Sequence, residues 1–357
     1  MSAPMAMMLA GGTGGHVYPA LAVALDLRER GFRLAWVGTR RGLEARVVPE
    51  ADITLYQLPM RGLRGKGLLQ QLLAVLLLGL SLLQSLWLML RLRPALVVGM
   101  GGYASFPAAC AAWLTRRPLL LQEQNAVAGS ANRALARFAS QIATGFPDVL
   151  QQYPTATYLG NPVRKDLLSV AGDHPWDRPA GAPLRVLVLG GSLGAKPLNE
   201  AMPAVAAVLG VQCEWRHQCG PAHAETTRAD YSAVSNTQWA VEAYVEDMPE
   251  AYAWAQLVIC RAGALTVAEL AVTGRPSILI PLPYAIDDHQ TANARFLSEA
   301  GAAVLLPQSD LHERLEATLR RLLADAGLLA AMSVAALECA RPEATGMIAD
   351  RAEALMR

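Results

Sequence analysis

The sequence predicts an α/β protein made of two doubly wound, Rossmann-like domains. Short unbroken apolar runs alternate with stretches of helical length, and the order of run, glycine-rich loop and helix occurs twice in related form. The chain, at 357 residues, also exceeds the roughly 250–300 residues at which a single core stops growing. Apolar runs of this kind between helices mark parallel strands buried on both faces. With 53% hydrophobic and 17% charged residues, the chain has material for two cores, and disorder is excluded.

The elements follow in order. Residues 5–10 form the first apolar run, followed by GGTGGH at 11–16 and a helical stretch at 20–27. Further on, ALVVGMGG at 95–102 leads to RPLLL at 117–121. Between them, residues 67–90 carry no charge and are bracketed by Arg61, Arg64 and Lys66 on one side and Arg91 and Arg93 on the other. As a helix this segment is ~36 Å long, enough for a ~30 Å hydrocarbon layer. Yet Gln70, Gln71, Ser81, Gln84 and Ser85 gather within about 140° of the helical wheel, an arrangement a spanning helix does not need. Three fates stay open: a buried helix, an apolar face laid on a membrane, or a span.

Prolines and glycines crowd residues 160–184 (Pro162, Pro175, Pro179 and Pro183; Gly160, Gly172 and Gly181), which marks the domain linker. The expected domains are 1–163 and 164–357, with the last helix, about 343–357, expected to pack back on the first. The second domain repeats the first: RVLVL at 185–189, GGSLGA at 190–195, a helical stretch at 198–209, then QLVICRAG at 256–263 leading to RPSILI at 275–280. For paired doubly wound domains, the cleft between them is the expected active site.

Charge divides along the same line. Residues 1–165 hold 17 Lys and Arg against 7 Asp and Glu, whereas residues 166–357 hold 14 against 23. The basic half is expected to meet an anionic membrane surface or a phosphorylated substrate. Nucleic acid is not expected as a partner, because no aromatics interleave the basic residues and no helix-turn-helix or RNP-like string occurs. Five Cys without a CxxC and six scattered His point to a reduced, cytoplasmic protein with no disulfide framework, metal site or cofactor. No secretory signal is apparent at the N-terminus.

Three strings carry chemistry. Glycines between a strand and a helix let backbone approach a ligand, and open N–H groups at a helix start favour an anion. GGTGGH therefore suits a phosphate or sugar. The dinucleotide fingerprint would need glycine where Val17 stands, and no GK[ST] follows for a P-loop. GGSLG at 190–194 reads in two ways: as a nucleophile elbow with Ser192 as a hydrolase nucleophile, or as a phosphate loop. The first-half loop has Thr13 in the equivalent place, and a hydrolase has no use for two elbows. In RAGALTVAEL, Glu269 offers a carboxylate to the two hydroxyls of a ribose; the alternative is a solvated helix face.

Together these strings resemble the peptidoglycan N-acetylglucosaminyltransferases, the MurG family. The resemblance rests on AGGTGGHVYPALAVA (10–24), GLRGKG (62–67), GMGGYAS (99–105), EQNAVAG (123–129), GNPVR (160–164), LGGSLGA (189–195), CRAGALTVAEL (260–270), DDHQTANA (287–294) and SEAGAA (298–303). It implies a GT-B fold, the two domains facing each other across a cleft, and an inverting transfer of N-acetylglucosamine from UDP-GlcNAc. The implied acceptor is the 4-hydroxyl of MurNAc in undecaprenyl-diphosphate-linked muramyl pentapeptide, reached from the cytoplasmic face of the inner membrane as a peripheral enzyme. A UDP-GlcNAc 2-epimerase is the neighbouring alternative on the same fold.

Carried over residue by residue, the backbone of Val245 meets uracil, Glu269 holds the ribose, and Ser192 and Arg164 neutralise phosphates. Ala264, Leu265, Thr266, Val267 and Ala268 supply helix-start N–H groups, and Gln290 bonds the sugar hydroxyls. Thr13, Gly14, Gly15 and Asn125 face the sugar and the acceptor. His16 is the candidate general base, since imidazole suits proton removal near neutrality, with Glu123 as the alternative. The chain departs from the family's habit at Gln122, at Phe106 and at the pair Asp287–Asp288.

Overall fold

The computed structural model describes residues 3–60, 68–172 and 181–356. The GLRGKG string with Arg61, Arg64 and Lys66, the linker residues Pro175 and Pro179, and the side chains of Gln70 and Gln71 lie outside the described residues. The chain divides into two compact units, Met1–Arg164 with Pro342–Arg357, and Lys165–Arg341.

The first unit alternates strand and helix: β1 (Met5–Leu9), α1 (Gly14–Glu29), β2 (Arg33–Thr39), α2 (Glu44–Glu50), β3 (Thr54–Leu58), α3 (Leu68–Leu92), β4 (Leu96–Gly99), α4 (Ser105–Leu114), β5 (Leu119–Glu123), α5 (Ser130–Leu135), β6 (Gln141–Thr144) and β7 (Ala156–Tyr158). Among the described residues these strands form one parallel sheet in the order β3-β2-β1-β4-β5-β6-β7. Its central strands are apolar throughout because helices cover both faces: Ala6 to Leu9 and Leu96 to Val98 are fully buried. The strand order reverses between β1 and β4, so the loops leaving those two strands diverge and open a crevice at their carboxyl ends.

Helix α3 inverts the usual rule of amphipathic helices. Ser81 and Ser85 are buried with Leu88 and Met89, whereas Leu76 (66% exposed), Leu80, Leu83 (64%), Trp87 and Leu90 lie on the surface. The Ser85 hydroxyl is satisfied by the Ser81 carbonyl at 2.7 Å, and Gln84 donates to the Gln57 carbonyl at 3.1 Å. Of the polar arc seen in the sequence, Ser81 and Ser85 thus turn inward and Gln84 is half-buried. Residues Leu73–Leu92 are long and apolar enough to cross a membrane by length and composition.

The second unit holds α6 (Lys165–Leu168), β8 (Leu184–Leu189), α7 (Lys196–Leu209), β9 (Cys213–Gln218), α8 (Ala224–Ser232), β10 (Gln238–Glu242), α9 (Met248–Trp254), β11 (Leu257–Cys260), α10 (Ala264–Val272), β12 (Ser277–Leu279), α11 (His289–Glu299), β13 (Ala303–Leu305), α12 (Leu311–Ala324) and α13 (Ala326–Cys339). Its parallel sheet runs β10-β9-β8-β11-β12-β13, with the reversal between β8 and β11. Local sequence sets the helix limits. Asp247 caps α9 by accepting the Glu250 N–H at 2.9 Å, and Asp325 caps α13 through the Leu328 N–H at 3.1 Å. Leu311, Leu315, Leu319 and Leu322 of α12 recur at helical spacing and are all buried.

The last helix, α14 (Ala344–Ala354), belongs to the first unit. Ile348, Ala349 and Ala352 join the core that contains Val23, Ala24 and Leu27 of α1. Arg30 secures it, bonding Asp26 and Asp350 at 2.5 Å each and the Gly346 carbonyl at 3.2 Å.

Candidate active site

In the first unit the crevice is built by the loops after β1 and β4. Thr13 ends the first loop as the N-cap of α1, and its carbonyl accepts the His16 and Val17 N–H groups at 3.1 and 3.2 Å. Thr13 and Gly15 are exposed, while Gly14 and His16 are half-buried. Gly102 lets the second loop close on the first: at φ +81°, a Cβ there would lie 2.9 Å from the Gly11 carbonyl oxygen.

The His16 ring is held from below. Its Nδ1 lies 3.0 Å from the Met100 carbonyl and 3.0 Å from Gln124 Oε1. Both partners only accept, so Nδ1 carries the proton and Nε2 keeps its lone pair. Gln124 is fixed in turn, donating through Nε2 to the Met100 carbonyl at 2.8 Å and to Gln122 Oε1. Gln122 donates to Asn161 Oδ1 at 3.0 Å, and Asn161 donates to the Gln124 carbonyl at 2.9 Å. A buried amide network therefore ties the EQN and GNP strings to His16. Gln122, one of the departures noted in the sequence, is a working member of it.

Glu123 lies differently. It is buried, and its oxygens accept from Asn125 N (2.9 Å), Asn125 Nδ2 (3.4 Å), Gly129 N (3.0 Å) and Asn132 Nδ2 (2.9 Å). These four donors match the capacity of a carboxylate. It shapes the loop that presents Asn125.

One residue of this region escaped sequence reasoning. Glu44, fully buried, accepts Gly12 N at 2.9 Å through Oε2, and Thr39 N and Oγ1 at 2.8 and 2.7 Å through Oε1. Gly11 and Gly38 leave it room, since a Cβ on either would approach it to 2.6 Å. The Leu43 N–H also meets the Gly12 carbonyl at 3.2 Å. Glu44 belongs to no recognised motif, so only its burial reveals it.

In the second unit, the loops after β8 and β11 flank the reversal. Ser192 is exposed in the first of them, and Val245 is buried just beyond β10. Helix α7 begins only at Lys196, after a turn closed by Gly194 N to Gly191 O at 2.8 Å. A nucleophile elbow would put its serine directly at the strand-to-helix turn. His217, beside this loop, is occupied by Asn199 and Tyr231 at 3.1 and 3.2 Å.

Helix α10 starts at Ala264 with Gly263 as N-cap. Ala264, Leu265 and Thr266 have open N–H groups; the Val267 N–H already bonds the Gly263 carbonyl at 3.0 Å. The Val267 N–H is thus used at the helix start, and Ala268 follows it within α10. Glu269 is half-buried and receives the Tyr252 hydroxyl on Oε2 at 2.9 Å. Tyr252, itself buried, is a second residue that sequence reasoning missed.

Gln290 Oε1 accepts the Leu282 N–H at 2.9 Å, which turns its NH₂ to other acceptors. Arg261 braces the same loop, donating to the Ile280 and Pro281 carbonyls at 3.1 and 3.3 Å and to Gln308 at 2.7 Å. Asp287 and Asp288 both adopt left-handed backbone (φ +55° and +49°) before α11, a conformation that Asp tolerates better than most residues. Arg164 closes the first unit half-buried. Among the described residues no three His, Cys, Asp or Glu side chains group as metal ligands would.

Two parallel doubly wound units, each with a glycine-rich loop and a helix start at its reversal point, are the architecture of the GT-B glycosyltransferases, and the family matches place the chain in that class. The N-terminal domain of glycosyltransferase family 28 matches residues 6–144, and the C-terminal domain of that family matches residues 185–346. A protein of Alkalilimnicola ehrlichii named UDP-N-acetylglucosamine--N-acetylmuramyl-(pentapeptide) pyrophosphoryl-undecaprenol N-acetylglucosamine transferase is 53% identical over 348 residues, 96% of each chain. Its namesake in Thiobacillus denitrificans is 48% identical, covering 98% of each. The crystal structure of Acinetobacter baumannii MurG superposes with a TM-score of 0.84 at 39% identity, covering 98% of this chain and 99% of that one. The chain belongs to the MurG family.

Proposed function

We infer that this N-acetylglucosaminyltransferase moves N-acetylglucosamine from UDP-GlcNAc to the 4-hydroxyl of the muramyl sugar in undecaprenyl-diphosphate-linked muramyl pentapeptide. This is the step of peptidoglycan synthesis that turns lipid I into lipid II. The acceptor oxygen bonds to the anomeric carbon as the bond from that carbon to the UDP oxygen breaks. Configuration inverts, the hydroxyl proton passes to the base, and UDP leaves with the electron pair.

His16 is the base in this reading, and the observation that carries it is the pair of acceptors, the Met100 carbonyl and Gln124 Oε1, at its Nδ1. With Nδ1–H held by Met100 and Gln124, the lone pair of Nε2 is ready to take a proton. Glu123, the alternative, has its oxygens engaged by four N–H groups. Thr13, Gly14, Gly15 and Asn125 line the same crevice for the sugar and the acceptor.

The donor belongs to the second unit, with the backbone of Val245 reading uracil and Glu269, steadied by Tyr252, accepting the ribose hydroxyls. The Ser192 hydroxyl and the open N–H groups of Ala264, Leu265 and Thr266 face the diphosphate, and Arg164, from the end of the first unit, is the cation expected to neutralise it. Donors fixed in advance where charge grows on a leaving group stabilise the transition state more than the ground state. The NH₂ of Gln290 serves the sugar hydroxyls.

The first unit docks peripherally on the cytoplasmic face of the inner membrane through α3. Supporting this are the exposed row Leu76, Leu80, Leu83, Trp87 and Leu90, Arg91 stacked 4.8 Å over the Trp87 ring, and the basic excess of this half. Apolar side chains entering the headgroup layer and cations near an anionic leaflet add to each other, at about 1 kcal/mol per cation.

The reaction is tested by incubating labelled UDP-GlcNAc with lipid-linked muramyl pentapeptide. The expected products are a lipid-linked disaccharide and one UDP for each sugar transferred. Formation of free or epimerised sugar without the disaccharide would overturn the assignment.

A further inference from the structure

Gln218, the last residue of β9, is buried at 4% exposure and sends four hydrogen bonds into two loops. Its backbone carbonyl accepts the Gly190 N–H at 3.0 Å. Its side-chain Oε1 accepts the Gly191 N–H at 3.1 Å, while Nε2 donates to the Gly191 carbonyl at 3.0 Å and to the Ala243 carbonyl at 3.1 Å. Gly191, at φ +85°, therefore has both of its backbone polar groups held by one amide. The segment bearing Ser192 and the segment leading from β10 to Val245 are joined through it. The fit behind the loop is close, since a Cβ on Gly190 would lie 2.7 Å from the Ala195 nitrogen and one on Gly220 would lie 2.6 Å from the Gly194 nitrogen.

We propose that Gln218 is a positioning residue of the donor site, which locks the diphosphate loop to the nucleobase loop at the spacing one nucleoside diphosphate spans. The proposal rests on the reading above that Ser192 and Val245 meet the diphosphate and the base. The bonding pattern needs one acceptor and two donors in one uncharged side chain, which an amide supplies and a carboxylate does not. A glutamate here would still accept the Gly191 N–H but would turn lone pairs toward two carbonyl oxygens. It would also set a negative charge beneath a loop that must hold a dianion. The first unit offers the contrast. There the glycine loop after β1 is latched by Glu44, at the start of the helix that follows the neighbouring strand β2, and its three partners are all donors. Gln218 ends its strand whereas Glu44 opens the helix beyond its own, and the neutral latch stands behind the loop that takes the phosphates.

The test uses full-length Gln218→Glu and Gln218→Met, with UDP and uridine binding measured by calorimetry between pH 8 and 5.5, and with transfer kinetics. Both variants should bind UDP about 10–100-fold more weakly and raise the donor KM in step, while the acceptor KM stays within about threefold. Uridine should also weaken in the Met variant, although Gln218 does not touch the nucleoside. The defect of the Glu variant relative to wild type should shrink at least fivefold, to order of magnitude, as pH falls and the new carboxylate regains a proton to donate; the Met variant should show no such recovery. UDP binding within twofold of wild type in both variants, with Ser192→Ala clearly weakened, would overturn the proposal. So would a Glu-variant defect that matches the Met variant at every pH, the result of lost packing alone. Wild-type protein that fails to bind UDP would instead overturn the donor reading, and the proposal with it.

Discussion

Acid should loosen the second unit through one histidine. His217 is wholly buried; its Nε2 faces Asn199 Oδ1, and the Nδ2 of that asparagine donates to the Cys219 carbonyl at 3.0 Å. The ring proton therefore sits on Nε2, and the Tyr231 hydroxyl, 3.2 Å away, donates to Nδ1. Burial pushes the imidazole down from its ordinary value of 6.5 to about 3. Because the folded-state value is the lower one, the stabilisation is complete above pH 6.5 and is lost as pH falls toward 3, where the unfolded chain binds the extra proton. The slope is ~1.4 kcal/mol per pH unit, so acidification from pH 7.5 to 5 costs about 2 kcal/mol through this residue. His217→Gln removes the titration and isolates the effect from the carboxylates. The variant should be less stable than wild type at pH 7.5 by about 1–3 kcal/mol, for a disturbed buried hydrogen-bond network. At pH 5 that gap should narrow by about 2 kcal/mol, closing or reversing. Hydrogen exchange of the α7 and β9 amides under native conditions reads this unit separately from the first. An equal gap at both pH values would refute the argument.

Glu269→Ala should raise the donor KM by roughly 10–150-fold, the value of a charge-assisted pair of hydrogen bonds; Tyr252→Phe, which only frees the carboxylate to wander, should raise it by less, and steady-state kinetics would settle the order. His16→Ala should lower kcat by roughly 10²–10⁴ with UDP affinity almost unchanged, and a mutant of near-normal kcat would remove His16 from the role. Glu44→Gln puts an NH₂ against either the Gly12 or the Thr39 N–H, so urea unfolding should report a loss of about 1–3 kcal/mol; an unchanged midpoint would mean that the loop does not depend on it. Liposome flotation should show binding that rises with anionic lipid, falls with salt, and is lost when Leu76, Leu80 and Trp87 become Ser; binding indifferent to all three would rule out the docking face.

The strands were legible because a parallel strand under two layers of helix has no solvent side, so MAMML and the VLVL of β8 read as unbroken apolar runs. The glycine loops were legible for a different reason: close approach of backbone leaves glycine as the residue that fits, as at Gly102. Helix α3 was legible as a helix but not in orientation. Ser81 and Ser85 are buried, with the Ser85 hydroxyl bonded to the Ser81 carbonyl, while Leu76, Leu80, Leu83 and Leu90 stay outside, which a rule sorting polar from apolar assigns backwards. Glu44, Gln218 and Tyr252 act on backbone or on another side chain from a neighbouring element. Such contacts depend on strand order and leave no periodicity along the chain. The starting point of α10 likewise decides which of its N–H groups are open, and composition does not fix a helix start to one residue.

Because α14 gives Ile348, Ala349 and Ala352 to the core under α1, the first unit lacks part of its interior until the ribosome has passed Ala352. The second unit is covalently complete at Arg341, ahead of it. Translation thus starts with the amino-terminal unit and finishes it last. At about 5–20 residues per second, its first 164 residues wait many seconds with an uncovered apolar groove, at a stage when the α3 surface is also bare. A nascent chain held for that interval is a natural client for a chaperone or for the membrane itself, and loss of α14 would be felt in elements made before the whole of the second unit.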